Sequence, residues 1–148
     1  MSTRVRYGLR AAVELALHRA WRGGPGRPVS LSQIVRSQKI PEPYLRQIFF
    51  SLKKSGLVES AMGKSGGYRL RREPGRIRAY DVLRGLGEEI APIPCLVKCP
   101  GCTLMRRCPT RPLWIEMKAL LKKALSRTTV GLLADRCPGR GRKTLLDL

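Results

Sequence analysis

Cysteine is the residue type whose spacing first indicates chemistry in this chain. Four of its five cysteines, Cys95, Cys99, Cys102 and Cys108, fall in one stretch with the spacing C-x3-C-x2-C-x5-C. Thiolates are soft ligands, and four of them in one short loop suit an iron–sulfur cluster or zinc. Structural zinc sites usually take two close cysteine pairs separated by a longer stretch, which this spacing lacks. The pattern therefore favours an iron–sulfur cluster.

Two other interpretations of the cysteine stretch remain open. The thiols could form a reduced loop without metal, or Cys99 and Cys102 could act as a thiol switch. Positive charge lowers a thiolate pKa and helps to hold an anionic cluster, and basic residues surround the cysteines: Lys98, Arg106, Arg107 and Arg111. Cys137 stands apart near the C-terminus, and we interpret it as an incidental exposed thiol.

The sequence gives little support for acid–base catalysis. His18 is the only histidine, and no pair of carboxylates accompanies it in a recognisable cleft. The residues Gly63-Lys64-Ser65 look like the end of a phosphate-binding P-loop, but that motif needs a glycine where this chain has Val58. We therefore predict that the chain is not an enzyme.

The net charge indicates the kind of partner. The 148 residues include 30 Lys and Arg against 10 Asp and Glu, a formal net charge of +20. Such an excess indicates a polyanionic partner, nucleic acid first and an acidic membrane surface second. Residues 1–80 hold 17 of the basic residues and only 4 of the acidic ones. Because no apolar stretch resembles a signal segment or a membrane span, we expect a cytoplasmic protein whose thiols stay reduced.

Periodicity in the first half of the chain predicts the elements that position these groups. Apolar residues at helical spacing predict a helix over residues 4–21, a second that starts at Ser30 with Gln33 as its capping-box partner, and a third over residues 42–55 that Gly56 ends. A tight turn at residues 38–41 joins the last two into a helix-turn-helix unit. Residues 57–60 and 68–71 alternate like strands around a glycine-rich turn, which predicts a β-hairpin wing. The predicted fold is mainly α with a small β-hairpin wing.

The third helix has the side chains of a DNA-recognition helix. A helix fits the major groove, where its exposed side chains meet base edges. Arg46 and Gln47 have the chemistry to read guanine and adenine, while Tyr44, Lys53 and Lys54 suit phosphates. A plain solvated helix face remains the alternative for this helix taken alone.

The predicted wing favours the DNA-binding interpretation. Lys64 stands at its tip, and Arg69 and Arg71 stand on its arm. These cations can reach the phosphate backbone or the minor groove. Double-stranded DNA is therefore the predicted partner.

Six segments follow one another in an order that covers nearly the whole chain. They are residues 6–11 (RYGLRA), 29–34 (VSLSQI), 43–49 (PYLRQIF), 52–58 (LKKSGLV), the wing tip at 63–70, and the stretch from Cys102 through Cys108-Pro109 to Trp114. In this order they resemble the Rrf-type winged helix-turn-helix transcription regulators. Each segment alone is a weak signal, but the ordered set is highly specific.

The resemblance implies a homodimer on a palindromic operator, with the long C-terminal helix as the main dimerisation element. It also implies that Cys95, Cys102 and Cys108 ligate a [2Fe–2S] or [4Fe–4S] cluster. We expect a transcription regulator, in the first instance a repressor, whose cluster responds to redox state, nitric oxide or iron–sulfur status. A cluster-free regulator controlled by thiol oxidation or by a protein partner is the alternative.

The chain departs from the family at positions that matter for the cluster and for DNA. Some relatives use a histidine where this chain has Arg111, and others use an acidic residue of the first helix where it has Arg6. Cys99 is therefore the candidate fourth ligand. Met62 replaces an arginine with which relatives probe the minor groove, so either Lys64 takes over that readout or the readout is absent. Arg46 replaces a frequent glutamate of the recognition helix, so we expect a different operator.

These expectations divide the chain into four parts. We predict a winged helix-turn-helix DNA-binding domain over residues 1–86 and a cysteine-rich cluster-binding loop over residues 87–109. A dimerisation-helix region follows over residues 110–135, with its long helix over residues 110–126. A basic, glycine-rich and flexible tail is predicted over residues 136–148.

Overall fold

The computed structural model describes residues 2–97 and 102–137, a helical domain with one β-hairpin. Within these residues the helices are α1 (Thr3–Leu17), α2 (Leu31–Gln38), α3 (Glu42–Lys54), α4 (Ala79–Gly85), α5 (Arg111–Arg127) and α6 (Val130–Asp135). Strands β1 (Val58–Ala61) and β2 (Gly67–Leu70) form the antiparallel hairpin, and 3₁₀ turns cover Pro74–Arg76 and Pro94–Leu96. The predicted mainly α winged helix-turn-helix fold is confirmed. Cys99, Lys98 and the predicted tail beyond Cys137 lie outside the described residues.

Local capping interactions set the boundaries of the helix-turn-helix unit. Ser30 caps α2 through the predicted capping box with Gln33. Lys39 then adopts a left-handed conformation (φ 50°) and turns the chain into α3. Gly56 follows α3 with a φ of 75°, a conformation that glycine adopts without strain. α1 ends at Leu17 rather than at residue 21, because Arg19 takes a positive φ and its carbonyl accepts a hydrogen bond from the Gly26 amide at 2.9 Å.

The hydrophobic core lies between α1, α2, α3 and the base of the wing. Large, fully buried apolar side chains come from all of these elements and from the residue after the Pro74–Arg76 turn: Val5, Leu15, Ile34, Ile40, Leu45, Ile48, Phe49, Leu52, Leu70 and Ile77. The Phe49 ring stacks on the Tyr68 ring of β2 with the centroids 4.2 Å apart. Val29 exchanges backbone hydrogen bonds of 2.8 and 2.9 Å with Tyr68. The wing is thereby fixed to the chain segment that leads into α2.

The C-terminal helices have different surroundings. α5 contains no fully buried residue, although Leu121 and Leu125 pack partly against the core. α6, which the sequence reasoning did not separate from α5, packs against α1 and the Pro74–Arg76 turn. Val130 is fully buried there, and its amide donates to the Ile77 carbonyl at 2.8 Å. After α5, the chain thus comes back into contact with α1 through α6.

Candidate nucleic-acid interface and cysteine loop

The recognition helix α3 has one buried and one exposed face. Leu45, Ile48, Phe49 and Leu52 fill the core, as the spacing predicted. Arg46, Gln47, Phe50 and Lys54 are exposed on the other side. Because residues three and four apart are neighbours on a helix, these four side chains form one continuous stripe. The predicted base-reading pair, Arg46 and Gln47, therefore lies on a free surface of the helix.

Arg46 is oriented by its own helix. Its Nε donates to Glu42 Oε1 at 3.0 Å, one turn earlier, and both side chains are largely exposed. An exposed pair of this kind contributes little stability. The Glu42 carboxylate therefore orients the Arg46 guanidinium without burying it, and the group remains accessible to another acceptor.

Tyr44 and Lys53 have partners within the protein. The Tyr44 ring is half-buried and meets the Tyr7 ring of α1 edge-on, with the centroids 5.7 Å apart. Lys53 Nζ donates to Ser60 Oγ of β1 at 2.8 Å. This contact joins the end of the recognition helix to the wing.

The wing carries free charge at its tip and paired charge on its arm. Lys64 and Met62 are exposed at the tip. On the arm, Glu59 accepts from Arg69 Nε at 2.6 Å and from Arg22 Nη2 at 2.7 Å. Burial would raise the pKa of Glu59, but the hydrogen bonds from Arg22 and Arg69 outweigh it and hold this pKa below its ordinary value. Arg69, predicted from the sequence as a free DNA contact, is thus partly neutralised by Glu59.

A residue pair that the sequence reasoning missed flanks the recognition stripe. Arg4 of α1 donates from Nη2 to Ser51 Oγ of α3 at 2.6 Å. The Arg4 Nε is buried and has no hydrogen-bond partner among the described residues. Beside this contact the Phe50 ring is 71% exposed. Phe50 is apolar and follows the buried Phe49 directly, so its residue type gives no sign of a DNA contact.

A buried polar network ties the helix-turn-helix unit to α1. Gln38, fully buried at the end of α2, donates from Nε2 to Glu14 Oε2 at 2.8 Å and accepts from Arg10 Nε at 2.9 Å. The second Glu14 oxygen lies 3.3 Å from His18 Nε2. Burial would raise the pKa of Glu14, but hydrogen bonds from His18, Ser37 and Gln38 outweigh it and lower this pKa. The hydrogen bond to Glu14 raises the pKa of His18. This network fixes α2 against α1.

The described thiols of the cysteine loop are accessible to different degrees. Cys95 lies half-buried in the Pro94–Leu96 turn, Cys102 is exposed, and Cys108 lies before α5. Cys108 Sγ is 3.3 Å from Thr110 Oγ1, and this hydrogen bond lowers the pKa of the Cys108 thiol. Among residues 2–97 and 102–137, no three Cys, His, Asp or Glu side chains come close enough together to hold a metal ion. The predicted four-cysteine ligand set, which includes Cys99, remains a prediction.

The donor chemistry of the loop fits a thiolate-ligated cluster. No acidic residue occurs between Glu89 and Glu116, whereas four basic residues do: Lys98, Arg106, Arg107 and Arg111. Thiolates bind iron–sulfur clusters, and surrounding positive charge favours both the thiolates and an anionic cluster. The residues present therefore fit the group that the spacing predicts.

Cys137 is not the exposed thiol that we expected. It is half-buried at the end of α6, packs against the core, and its Sγ lies 3.6 Å from the Leu133 carbonyl. Burial and the nearby Glu14 carboxylate raise the pKa of its thiol. The reason is that α6 folds back onto α1, which the sequence pattern did not indicate.

An exposed recognition stripe linked to a basic wing defines a DNA-binding protein of the winged helix-turn-helix class. The family Rrf2, described as "Iron-dependent Transcriptional regulator", matches residues 1–136. The chain belongs to this Rrf2 family of transcriptional regulators, as the sequence resemblance predicted, and its relatives are regulators rather than enzymes. Within the two described ranges, no helix combines the length and apolar character needed to cross a membrane.

Individual relatives cover most of the chain. It is 36% identical over 141 residues to "Protein rrf2" of Nitratidesulfovibrio vulgaris, which covers 93% of this chain and 91% of the relative. It is 35% identical over 131 residues to the HTH-type transcriptional regulator IscR of Aliivibrio salmonicida, covering 88% of this chain and 74% of the relative. The solved structure of CymR (YrzC), "the Global Cysteine Regulator of B. subtilis", superimposes with a TM-score of 0.74 at 34% identity, covering 93% of this chain and 97% of CymR.

Proposed function

We propose that this Rrf2-family regulator binds a palindromic site in double-stranded DNA as a homodimer, with α3 in the major groove and the wing against the backbone. The observation that carries this proposal is the contact that links the exposed stripe of α3 to the wing. The exposed stripe of Arg46 and Gln47 is linked through the Lys53–Ser60 contact of 2.8 Å to the wing that presents Lys64. A helix with adjacent basic and amide side chains offers groups for guanine and adenine, and the wing adds charge for phosphates.

The remaining cations of this surface contact phosphates in the proposal. Lys53, Lys54 and Lys64 supply charge along the edge of α3 and at the wing tip, and Tyr44 supplies a hydroxyl group. Arg69 contributes less than a free arginine, because Glu59 accepts from it at 2.6 Å. Arg22 and Arg71 share that carboxylate, so the cluster keeps a net positive charge that attracts phosphate.

Dimerisation is proposed to use α5. This helix holds no fully buried residue, yet three large apolar side chains are exposed on one face of it, Leu113, Met117 and Leu120, and Ile115 is exposed on the opposite side. An apolar helix face of this length is costly to leave in water. A second copy of the same helix would cover it, and two-fold symmetry would match a palindromic operator.

We further propose that Cys95, Cys99, Cys102 and Cys108 hold an iron–sulfur cluster that controls operator affinity. The acid-free, basic loop of thiols supports this, and so does the description of the family as iron-dependent. A bound cluster supplies a centre that is sensitive to redox state and to nitric oxide. In this proposal, a change in the conformation of the cysteine loop shifts the position of α3.

A chain of contacts offers a route between the loop and the recognition helix. The segment before Cys95 is tied to the start of α1, because Ser2 Oγ donates to Glu88 Oε1 at 2.8 Å. Ser2 also caps α1, and two residues later Arg4 contacts Ser51 of α3 at 2.6 Å. A shift of the loop would move the N-terminus of α1 and, through Arg4, the exposed face of α3.

The cluster is tested by anaerobic purification with iron and acid-labile sulfide determined per chain. Serine variants of Cys95, Cys99, Cys102 and Cys108 should each lose iron and change the visible spectrum. Cys137→Ser is the matched control, since Cys137 packs against the core just after α6, away from the loop in sequence, and should keep the full iron content. A Cys99→Ser protein with unchanged iron would exclude Cys99 as fourth ligand. Colourless wild-type protein with free thiols would exclude the cluster.

DNA reading is tested on duplexes selected by the full-length protein from a random library. Arg46→Ala should bind selected and scrambled duplexes with more similar affinities, because a base contact is lost. Lys64→Ala should weaken both equally and flatten the salt dependence, because a phosphate contact is lost. Equal losses for both duplexes in Arg46→Ala would contradict its role in base reading.

A thiol-controlled regulator without a cluster is the second candidate. Cys102 is exposed and Cys108 is half-exposed, so an oxidant can reach both. The likeness to CymR, the global cysteine regulator of B. subtilis, favours the same possibility. Colourless protein whose operator affinity changes on thiol oxidation, and not on addition of iron and sulfide, would establish this candidate instead.

A further inference from the structure

Phe50 is an aromatic residue of α3 whose side chain lies outside the hydrophobic core. Its side chain is 71% exposed, whereas its neighbour Phe49 is fully buried and stacks on Tyr68. Phe50 lies one turn after Arg46 and shares the exposed stripe with Gln47. An exposed phenyl ring costs free energy in water, and its place between the two predicted base-reading side chains and Lys54 gives it a specific context.

The surroundings of Phe50 indicate a polyanionic rather than an apolar partner. Arg4, Arg46, Gln47, Phe50 and Ser51 line a shallow depression of about 520 Å³, and none of these residues is acidic. Arg4 donates to Ser51 Oγ at 2.6 Å, and its Nε is buried with no acceptor in the part of the chain that the structure describes. The Arg46 guanidinium beside the ring stays largely exposed although Glu42 accepts from it, so the depression is complementary to a surface that combines phosphates with small apolar groups.

The major groove of DNA is such a surface. Among the base edges presented there, only thymine carries an apolar group, its C5-methyl, and apolar side chains recognise thymine through it. Phe50 lies on the stripe that would face the groove if Arg46 and Gln47 read base edges.

We propose that Phe50 is a specificity-determining residue that contacts the C5-methyl group of a thymine in each half-site. This inference rests on the proposed function, because it places α3 in the major groove. Arg4 holds Ser51 beside the ring and so positions this part of α3. Burying one methyl group contributes roughly a fourfold change in affinity.

The experiment uses the full-length protein and duplexes that it selects from a random library. Each thymine of a selected duplex is replaced in turn by deoxyuridine, which removes only the methyl group, and Kd is measured by fluorescence anisotropy. The wild-type protein should lose about fourfold at one thymine of each half-site. Phe50→Ala should show no thymine preference there, and Phe50→Leu should keep part of it. Because Phe50 is exposed, both variants should unfold at the wild-type temperature.

Lys54→Ala is the matched control on the same helix. It should weaken binding to the thymine and uracil duplexes by the same factor and leave their ratio unchanged. A Phe50→Ala protein with the wild-type ratio at every position would overturn the assignment, as would a wild-type protein indifferent to every methyl group. A protein that selects no duplex at all would overturn the proposed function together with this inference.

Discussion

Replacing Gln38 by leucine should destabilise the protein far more than the change in volume implies. Gln38 is fully buried and Glu14 is only 1% exposed. The leucine removes two hydrogen bonds, the one of 2.8 Å to Glu14 Oε2 and the one of 2.9 Å from Arg10 Nε. Each involves a charged partner, and such bonds contribute about 1.5–3 kcal/mol. Since leucine and glutamine are similar in size, we expect a loss of roughly 3–5 kcal/mol in the free energy of unfolding.

The assay is urea unfolding followed by circular dichroism at one fixed protein concentration, since the proposed dimerisation would make stability depend on concentration. Gln33→Ala, which removes an exposed capping interaction of the same helix, is the comparison and should cost about 1 kcal/mol. The double variant Glu14→Leu with Gln38→Leu should lose less than the sum of the single variants, because no buried carboxylate is then left without its partner. A loss for Gln38→Leu no greater than that for Gln33→Ala would refute the reasoning.

Three other changes test separate parts of the structure. Because Glu14 raises the pKa of His18 above 6.5, the stability from this pair is fully present below pH 6.5 and is lost as the pH rises through the raised pKa; His18→Gln should remove this part of the pH profile in urea unfolding. Met62 is 96% exposed at the wing tip, so Met62→Arg should tighten DNA binding and steepen the salt slope by about 0.9 per subunit in anisotropy titrations; an unchanged slope would mean that the wing tip does not meet phosphates. Leu120 is 58% exposed on α5, so Leu120→Asp should give monomers in analytical ultracentrifugation while Lys123→Ala stays dimeric; a dimeric Leu120→Asp protein would place the interface elsewhere.

The helix-turn-helix unit was predictable because its signals are local. The Ser30–Gln33 capping box and the positive φ of Gly56 each depend on a few consecutive residues. α6 was not recognised as a separate helix, since six residues make fewer than two turns and carry little periodicity. Its stability comes from the burial of Val130 against distant parts of the chain. The Thr129 side chain, which accepts from the Leu132 amide, was the local signal that could have revealed it.

The candidate site was predictable where a single helix face decides exposure. Arg46 and Gln47 are exposed as expected. The spacing of the buried residues also places Phe50 off the buried face, but a phenyl ring carries no charge or hydrogen-bonding group that marks it as a DNA contact. The partners of Arg69 were unpredictable for another reason. Its pairing with Glu59 depends on the register of the hairpin, which places Glu59 opposite Arg69. It also depends on Arg22, which lies in the loop after α1 and binds the same carboxylate.

The packing of α6 against α1 affects the distance between the two α3 helices of the proposed dimer. α5 is anchored along its C-terminal half, by its packing on α4 and by the backbone bonds that Thr128 and Val130 make with Ala79 and Ile77. In the proposed dimer each α5 is therefore fixed to the DNA-binding domain of its own subunit. The distance between the two α3 helices is then fixed as well. One base pair inserted at the centre of the operator would rotate one half-site by about 35° relative to the other. A dimer whose α3 helices are held at a fixed distance and angle cannot bind both half-sites after that rotation.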